Sequence, residues 1–592
     1  MKNYQWNLDK LYTGFEDPKF NQDIKSIQKL QQTLPNFIQE LQTMNDEDKA
    51  VEGLKILETI KDLTFRTKMY TQLLLAVDAN NAENIKWSNT CLNLAASFQS
   101  DESTILNTIL AIPTLKEIIE TNATVHPYKF ILLEHLEKKS HTLSTEQEEI
   151  LSMVYPTSLK SFSDMYYTLT SNATANFRGK TLSLTQVKNM CHDNSSEVRK
   201  EAFLAEQEAY KAIETPLAFA ISSIKQQQLK EARLRGYKDP LEKMLIDSRM
   251  KKETLDCMIQ SIEEYLPIFR NYLKTKAKLL GYDNGLPWYE IYATLGECDF
   301  NFSIEDCERL ILENFKPIPH LYAMTKQAMS EGWIDYPTRP GKQPGAFCEN
   351  LGWIKQSRII TNYNNTLSDI ITVAHELGHA FHGMMIEDQP ILNRDYCMPL
   401  AETASTFNEN IMYNALAKTM SDHDKLLVID TQLSALCQNI LDIYARFQFE
   451  TLVFEHVENG FLNAHQLCDL MKEALTRSFG DGLDPEWIHP YRWITKVHYY
   501  IPDIAYYNFP YTFGALFSRG LYALYDKEKE AFIDKYEHLL SATTTNTCED
   551  VAAIAGIDLT KPDFWRQSLQ SIVDQMNQFL ELAQKGGANE IR

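Results

Sequence analysis

The sequence predicts a mainly α-helical protein with one small β-sheet. Apolar residues recur at helical spacing along most of the chain, and the first three amphipathic segments cover residues 19–44, 48–77 and 82–98. Residues 334–363 differ from this pattern because they are rich in Pro and Gly, and we interpret them as a small sheet. The sequence contains no internal repeat and no low-complexity tract.

The helical pattern continues beyond these segments and is interrupted at residues 172–184 by a short turn or hairpin. A long helical run follows at residues 197–234. Pro216 is expected to break or kink that helix, because proline lacks a backbone N–H. From residue 418 onward the chain is again helical.

We divide the chain into three regions. Its 592 residues are enough for a large core and more than one lobe. Residues 1–110 form an N-terminal helical region, residues 111–200 a second helical region, and residues 201–592 the largest region, which contains the predicted sheet. Because no flexible linker separates the regions, the boundaries near 110 and 200 are approximate.

Composition and charge exclude several classes of function. The chain has 58 basic and 80 acidic residues. Its net charge of −22 does not favour binding to nucleic acid or to anionic membranes, which are negatively charged as well. No run of about 20 apolar residues predicts a membrane span, and the first residues lack the pattern of a signal peptide. Ten scattered cysteines without a Cys-x-x-Cys pair favour reduced thiols in a cytoplasmic protein.

The most informative segment is His375-Glu376-Leu377-Gly378-His379, inside a predicted helix at residues 367–385. Residues four apart on a helix lie on one face, so both imidazoles point the same way. With Glu402, they make up the ligand set of a catalytic zinc that keeps one position open for water. Glu376 is then placed to take a proton from that water. The alternative is a buried helix whose histidines are hydrogen-bonded to neighbours.

Glu402 lies in a second predicted helix that begins at Pro399, a residue suited to a first helical turn. Glu409 is two turns further along the same face, and we interpret it as an acceptor that orients a ligand histidine. The alternative for Glu409 is a solvated surface carboxylate. A third histidine ligand from one helix would crowd the metal, so we interpret His382 as a supporting or packing residue.

Four further segments are informative: Trp6-Asn7-Leu8-Asp9-Lys10-Leu11-Tyr12, residues 339–348, Ala401-Glu402-Thr403-Ala404-Ser405-Thr406, and residues 498–514. With the metal motif, they resemble the zinc oligopeptidases of the thimet oligopeptidase and oligoendopeptidase F family, and the bacterial oligoendopeptidase branch most closely. The segments occur in the family's order, and the resemblance spans essentially the whole chain.

The resemblance implies a two-lobed helical shell around a deep cleft that admits short unfolded peptides, with the small sheet beside the zinc helix. It also implies that residues 111–200 form an oligopeptidase F-like N-terminal lobe and residues 201–592 the zinc metallopeptidase domain. The chain departs from the family at Ala515, where members often have Tyr. The role of that phenol therefore falls on Tyr507 or Tyr511.

The edge of the predicted sheet is a candidate peptide-binding strand. An edge strand can pair with the backbone of an extended peptide and lay the scissile bond over the metal. Ala346 and Phe347 are the candidates on this strand, and the resemblance supports them; Tyr506 is a further candidate for contact with substrate. The alternative is a purely structural hairpin.

The predicted reaction is hydrolysis of internal bonds in short peptides, with one zinc ion per chain. Glu376 is the predicted general base, and the candidate donors to the developing oxyanion are His498, Tyr511 and Tyr507, in that order of preference. An ordinary core role is the alternative for each tyrosine. Competing functions are an exopeptidase or other metal hydrolase with the same ligands, and a non-catalytic peptide-binding protein.

Overall fold

The N-terminal helices pack around a hydrophobic cluster of their own. The computed structural model describes residues 4–296 and 300–586, so Cys298 and the first three residues lie outside it. The cluster runs from Ile27 to Leu132, so the boundary predicted near residue 110 falls inside one packed core. Its helices are α1 (Pro18–Thr43), α2 (Asp46–Val77), α3 (Ala82–Ala96), α4 (Gln99–Leu110), α5 (Leu115–Thr121) and α6 (Lys129–Lys139).

The hairpin predicted at residues 172–184 is present as an antiparallel strand pair, in which Thr174 lies opposite Ser183. A 39-residue helix follows and continues through Pro216, so the proline does not break it. Tyr210 and Leu217 are buried on either side of the proline, and this packing outweighs the lost hydrogen bond. The elements are α7 (Thr145–Val154), α8 (Leu159–Asn172), β1 (Thr174–Phe177), β2 (Lys180–Ser183), α9 (Leu184–Asn189) and α10 (Ser196–Leu234).

A second and larger hydrophobic cluster extends from Leu159 to Ala583 and gathers the other helices. They are α11 (Pro240–Asp247), α12 (Lys252–Leu279), α13 (Ile304–Phe315), α14 (Pro319–Ser330), α15 (Leu367–Met385), α16 (Met398–Ala401), α17 (Thr403–Ala417), α18 (Asp422–Cys437), α19 (Ile443–Val457), α20 (Ala464–Phe479), α21 (Arg492–Thr495), α22 (Phe509–Glu528), α23 (Glu530–Ala542), α24 (Cys548–Ile554) and α25 (Pro562–Gly586). This core holds the helices that carry the metal motif.

The stretch formed by α18, a π-helical segment and α19 is long and apolar enough to cross a membrane. Among the described residues it is the one such stretch, spanning Asp422–Val457 with a mean hydropathy of 1.2. Of its most apolar window, 61% is buried inside the fold. Burial of this extent is what a core helix of a helical protein has.

The predicted sheet has three strands: β3 (Ile334–Pro337), β4 (Phe347–Leu351) and β5 (Gln356–Tyr363). The central strand β5 pairs with β3 in parallel and with β4 in antiparallel orientation, which leaves β4 at one edge. One face packs against Trp6 and other N-terminal residues through Leu351 and Ile360. Helix α15 packs against β4 and β5, so the small sheet lies beside the helix that carries the two histidines.

Candidate metal centre and active site

Helix α15 begins where the sequence predicts it and presents both histidines on one face. Thr366 caps the helix, with its hydroxyl accepting from the Asp369 N–H at 3.2 Å and its own N–H donating to that carboxylate. Apolar residues such as Val373 and Leu377 bury the opposite face. The rings of His375 and His379 lie with their centroids 4.9 Å apart.

Gly378 lets α17 approach the histidine helix closely. A Cβ added at Gly378 would lie 2.5 Å from both the backbone oxygen of Ala404 and the Cα of Ser405. Glu402 itself sits at the junction of α16 and α17 rather than inside one continuous helix, which differs from the prediction. The close crossing brings the Glu402 carboxylate to the histidines.

Two imidazoles and one carboxylate converge in this structure. Glu402 Oε2 lies 3.3 Å from His375 Nε2 and 3.4 Å from His379 Nε2. One ligand atom from each of the three residues falls within 4.8 Å of the others. Ser405 Oγ donates to Glu402 Oε2 at 2.6 Å and fixes the carboxylate.

The charge balance of this group suits a cation. Burial opposes ionisation of Glu402, but the hydrogen bond and charge of His379, and the charge of His375, lower its pKa to about 2. Burial also opposes a charge on His375, yet the hydrogen bond and charge of Glu409, then the charge of Glu402, raise its pKa to about 9. The carboxylates thus favour positive charge at this position, and a donor set of two nitrogens and one oxygen fits zinc.

Glu409 contacts His375 in the way that a supporting residue of a metal ligand does. Its Oε1 lies 2.6 Å from His375 Nδ1. In the neutral tautomer with Nδ1 protonated, this contact leaves Nε2 of His375 free to bind a metal. On the other ligand, Asn350 of β4 donates to the backbone oxygen of His379 at 3.2 Å, which ties the sheet to the site.

Glu376 is buried beside the ligands, with only 5% of its surface exposed. Its Oε2 has no hydrogen-bond partner among the described residues. Burial raises the pKa of Glu376, although the charges of His375 and His379 act in the opposite direction. A carboxylate with a raised pKa and an unpartnered oxygen is suited to taking up and releasing a proton.

His498, Tyr507 and Tyr511 form an aromatic cluster. The His498 ring stacks on Tyr507 at a centroid distance of 5.0 Å, and Tyr511 lies 6.2 Å from His498 and 5.9 Å from Tyr507. Burial, followed by the charges of Arg446 and Lys496, lowers the pKa of His498 to about 4. The imidazole is therefore neutral near pH 7 and retains one N–H donor.

Tyr511 joins this cluster to the metal ligands. It is 39% exposed and lines a cavity of about 240 Å³ together with His375, Glu402 and Ala515. Burial and the hydrogen bond with Tyr507 raise the pKa of the Tyr511 phenol, so it stays protonated as a donor. A Cβ added at Gly514 would lie 3.4 Å from the Glu402 Cβ, which shows how closely α22 approaches the third ligand.

Tyr506 does not face this group. It is 6% exposed, its backbone N–H donates to Glu450 at 3.0 Å, and its ring packs 5.3 Å from Phe447 and 5.4 Å from Phe454. Its φ of 54° belongs to the left-handed region, and the turn directs the ring into the core. The predicted contact of Tyr506 with substrate is therefore not retained.

His382 is a packing residue rather than a ligand. Its ring is fully buried, stacks on Tyr396 at 4.3 Å and places Nε2 2.8 Å from Thr543 Oγ1. Burial lowers its pKa to about 3, so the ring is neutral. Ala346 and Phe347 are half-buried where the edge strand β4 begins.

Arg519 lines the same cavity as Tyr511 and is missing from the sequence predictions. It lies on α22 four residues after Ala515 and eight after Tyr511, so the helical spacing from Tyr511 is the signal that indicates it. Its guanidinium donates to Ser571 Oγ at 2.9 Å and to Gln575 Oε1 at 2.6 Å.

Known proteins match most of this chain. A family model described as Peptidase family M3 matches residues 189–571, and one described as Oligopeptidase F matches residues 110–174. Oligopeptidase PepF of Bacillus subtilis is 23% identical, with 98% of this chain and 87% of that protein covered. An oligoendopeptidase F homolog of Borreliella burgdorferi is 26% identical, with 95% of each chain covered.

Solved structures share the fold. A chain from Chlamydophila abortus superposes with a TM-score of 0.87 at 19% identity, covering 98% of both chains. Oligoendopeptidase-F from Enterococcus faecium gives a TM-score of 0.68 at 18% identity, covering 96% of this chain and 98% of that one. The M3 match covers well over half of the sequence. This chain therefore belongs to peptidase family M3, as a metallopeptidase that acts on oligopeptides.

Proposed function

We propose that this protein is a zinc-dependent endopeptidase that hydrolyses internal peptide bonds of short, unfolded oligopeptides. The observation that carries the proposal is the convergence of His375, His379 and Glu402 beside the unpartnered carboxylate oxygen of Glu376. A binding protein has no use for a buried general base. We place its peptide pool in the cytoplasm, where ten cysteines without a Cys-x-x-Cys pair remain reduced.

His375 Nε2, His379 Nε2 and the Glu402 carboxylate would hold the ion, while Glu409 orients His375 from behind. Zinc at such a site supplies Lewis acidity, which makes water nucleophilic near pH 7 and polarises the peptide carbonyl. Glu376 Oε2 accepts the proton of the attacking water and delivers it to the leaving nitrogen.

The aromatic cluster supplies the donors for the oxyanion in this proposal. Tyr511 shares a cavity with two of the proposed ligands, so its O–H is the direct candidate. His498 is neutral near pH 7 and contributes an N–H, and Tyr507 packs against both of these rings and supports them. Removal of one such donor typically costs about 3–4 kcal/mol of barrier.

The edge strand β4 is the proposed peptide-binding strand. It pairs on one side with β5, and its other side is the sheet edge that an extended peptide can join. Asn350 of the same strand bonds to the backbone of His379, so a peptide on β4 would lie next to the ligand helix. Phe347 and Glu349 point to one face of the strand and line a largely apolar cavity there.

The test is a ladder of peptides of graded length, incubated with and without a zinc chelator and analysed by mass spectrometry. Internal cuts that are confined to short peptides and disappear with chelator are expected. The Glu376→Gln variant, with its zinc content measured, is the matched control for chelator side effects. Absence of any cut by zinc-loaded wild-type protein would contradict the proposal.

An exopeptidase is the second candidate, because the fold also occurs in a Trypanosoma cruzi metallocarboxypeptidase (TM-score 0.50, 15% identity). The same ladder separates the two, since an exopeptidase releases single residues or dipeptides from one end. Products cut at several internal positions favour the endopeptidase.

A further inference from the structure

A second cavity, of about 270 Å³, carries a concentration of positive charge. Its wall includes Lys188 from α9, Arg199 from α10, and Arg492 and Lys496 from the segment that leads to His498. Four basic side chains thus surround one cavity in a chain with a net charge of −22. Such a wall attracts an anion if its charges are not already neutralised.

The arginines of this wall are neutralised by buried carboxylates. Arg199 Nε donates to Glu290 Oε2 at 3.1 Å, and Arg492 Nη2 donates to Asp442 Oδ2 at 2.6 Å. Asp442 is shared with a further cation, Arg446, so one carboxylate serves two guanidinium groups. Glu290 and Asp442 are therefore in direct contact with arginines and not with the two lysines.

The two lysines lack a direct partner. Neither Nζ makes an ion pair or hydrogen bond within residues 4–296 and 300–586. The one carboxylate of the wall, Glu206, accepts from Tyr210 at 2.8 Å and lies 3.7 Å from His489, and its charge acts on Lys188 without a direct contact. Lys188 and Lys496 are both only partly exposed, so water compensates them incompletely.

The pKa values of the two lysines reflect the excess of basic over acidic groups around the cavity. The charge of Arg492 and then burial lower the pKa of Lys496 to about 6, and burial lowers that of Lys188. An anion in the cavity would favour the protonated form of both ammonium groups. The cavity is thus short of negative charge.

Side-chain contacts link the wall of the cavity to the proposed oxyanion donors. Lys496 lies two residues before His498, and the charges of Arg446 and Lys496 both lower the pKa of that imidazole. Arg446 also donates to Asn508 Oδ1 at 3.1 Å, directly after Tyr507. The chain Arg492–Asp442–Arg446–Asn508 therefore runs from the cavity wall to the aromatic cluster.

We propose that this cavity is a subsite for the C-terminal carboxylate of a bound peptide, with Lys188 and Lys496 as its ligands. The inference rests on the proposed peptidase function and adds a substrate preference to it. A carboxylate brings the missing negative charge, accepts from both ammonium groups and is present in every unmodified peptide. The distance from this subsite to the metal ligands would then fix how far from the C-terminus a short peptide is cut.

The test compares two peptides of one sequence, one with a free C-terminal acid and the other with a C-terminal amide. Wild-type protein is expected to show a kcat/KM about tenfold or more higher for the acid, the range of a charge-assisted hydrogen bond. Lys496→Met and Lys188→Met should each bring this ratio towards one. Lys496→Arg should keep it, and Lys29→Met on exposed α1 is the control for a lost surface charge.

Several outcomes would overturn the assignment. If wild type cuts both peptides at equal rates, the subsite is wrong while the peptidase function stands; if it cuts neither, the proposed function itself fails. Restoration of the rate by a glutamate side chain inside the amidated peptide would overturn the C-terminal assignment. Calorimetry of inorganic phosphate with the Glu376→Gln variant is a further test. If phosphate binds, the binding is lost with Lys496→Met, and wild type shows no preference for the acid peptide, the cavity is a small-anion site instead. Should Lys496→Met not fold, Lys188→Met carries the same comparison.

Discussion

The proposed active site has two walls whose side chains are held in place in different ways. The metal wall comprises His375, His379, Glu402 and Glu376, and the donor wall comprises His498, Tyr507 and Tyr511. On the metal wall, Glu402 and His375 each have a fixing hydrogen bond, from Ser405 and to Glu409 respectively. On the donor wall, His498 and Tyr507 are placed chiefly by ring stacking, and His498 Nδ1 is buried without a partner among the described residues. The metal wall is therefore pre-formed by polar contacts, whereas the donor wall keeps hydrogen-bonding capacity for a substrate.

The largest effect should come from the metal wall, through Glu376→Gln. Loss of the general base is expected to lower kcat by about 10²–10⁴-fold while zinc is retained, because Glu376 is not one of the three ligands. Turnover and metal content are measured on the same preparation. A variant that loses its zinc together with its activity would mean that Glu376 supports binding of the metal instead.

On the donor wall, Tyr511→Phe should lower kcat by about 10²–10³-fold with little change in peptide affinity. Tyr507→Phe is the matched control, because its ring contacts the same cluster but does not line the cavity of His375 and Glu402. Steady-state kinetics on one peptide gives both numbers. If Tyr507→Phe has the larger effect, the assignment of the two phenols is reversed.

Glu409→Gln tests the residue that supports the metal wall through its contact with His375. Loss of the charge that faces His375 Nδ1 is expected to weaken zinc affinity by about 10–100-fold, with kcat nearly intact at saturating zinc. A zinc titration with a competing chelator measures this. Unchanged affinity would return Glu409 to the role of an ordinary polar residue.

The smallest effect on turnover should follow from His382, which supports the fold. Burial keeps its folded pKa at about 3, below the unfolded value of about 6.5, so the unfolded state gains the proton first as the pH falls. At pH 4 this gives a loss of about 3 kcal/mol in unfolding free energy, at about 1.4 kcal/mol per pH unit. Urea unfolding of wild type and His382→Asn at pH 7 and pH 4 should show a smaller loss in the variant.

Much of the metal wall could be predicted from the sequence because its spacing is local. The four-residue repeat of His375 and His379 fixes their common face, and α15 ends at Met385, within the predicted stretch. The predicted helical fold and small sheet are also confirmed. They could be predicted because periodicity and Pro/Gly content are local signals.

Contacts between distant segments are not visible in the sequence. The sequence predicts Tyr506 at the substrate, whereas the structure packs its ring against Phe447 and Phe454 of α19. The charged cavity has no sequence signal either, because Lys188 and Lys496 come from segments about 300 residues apart. Neither contact can be derived without the tertiary packing.

X-ray diffraction from crystals of the wild-type protein, recorded on both sides of the zinc absorption edge, tests the central claim most directly. The account predicts one zinc peak, within about 2.0–2.2 Å of His375 Nε2, His379 Nε2 and a Glu402 oxygen. Crystals of protein that cuts peptides but shows no zinc peak between these three residues would contradict it.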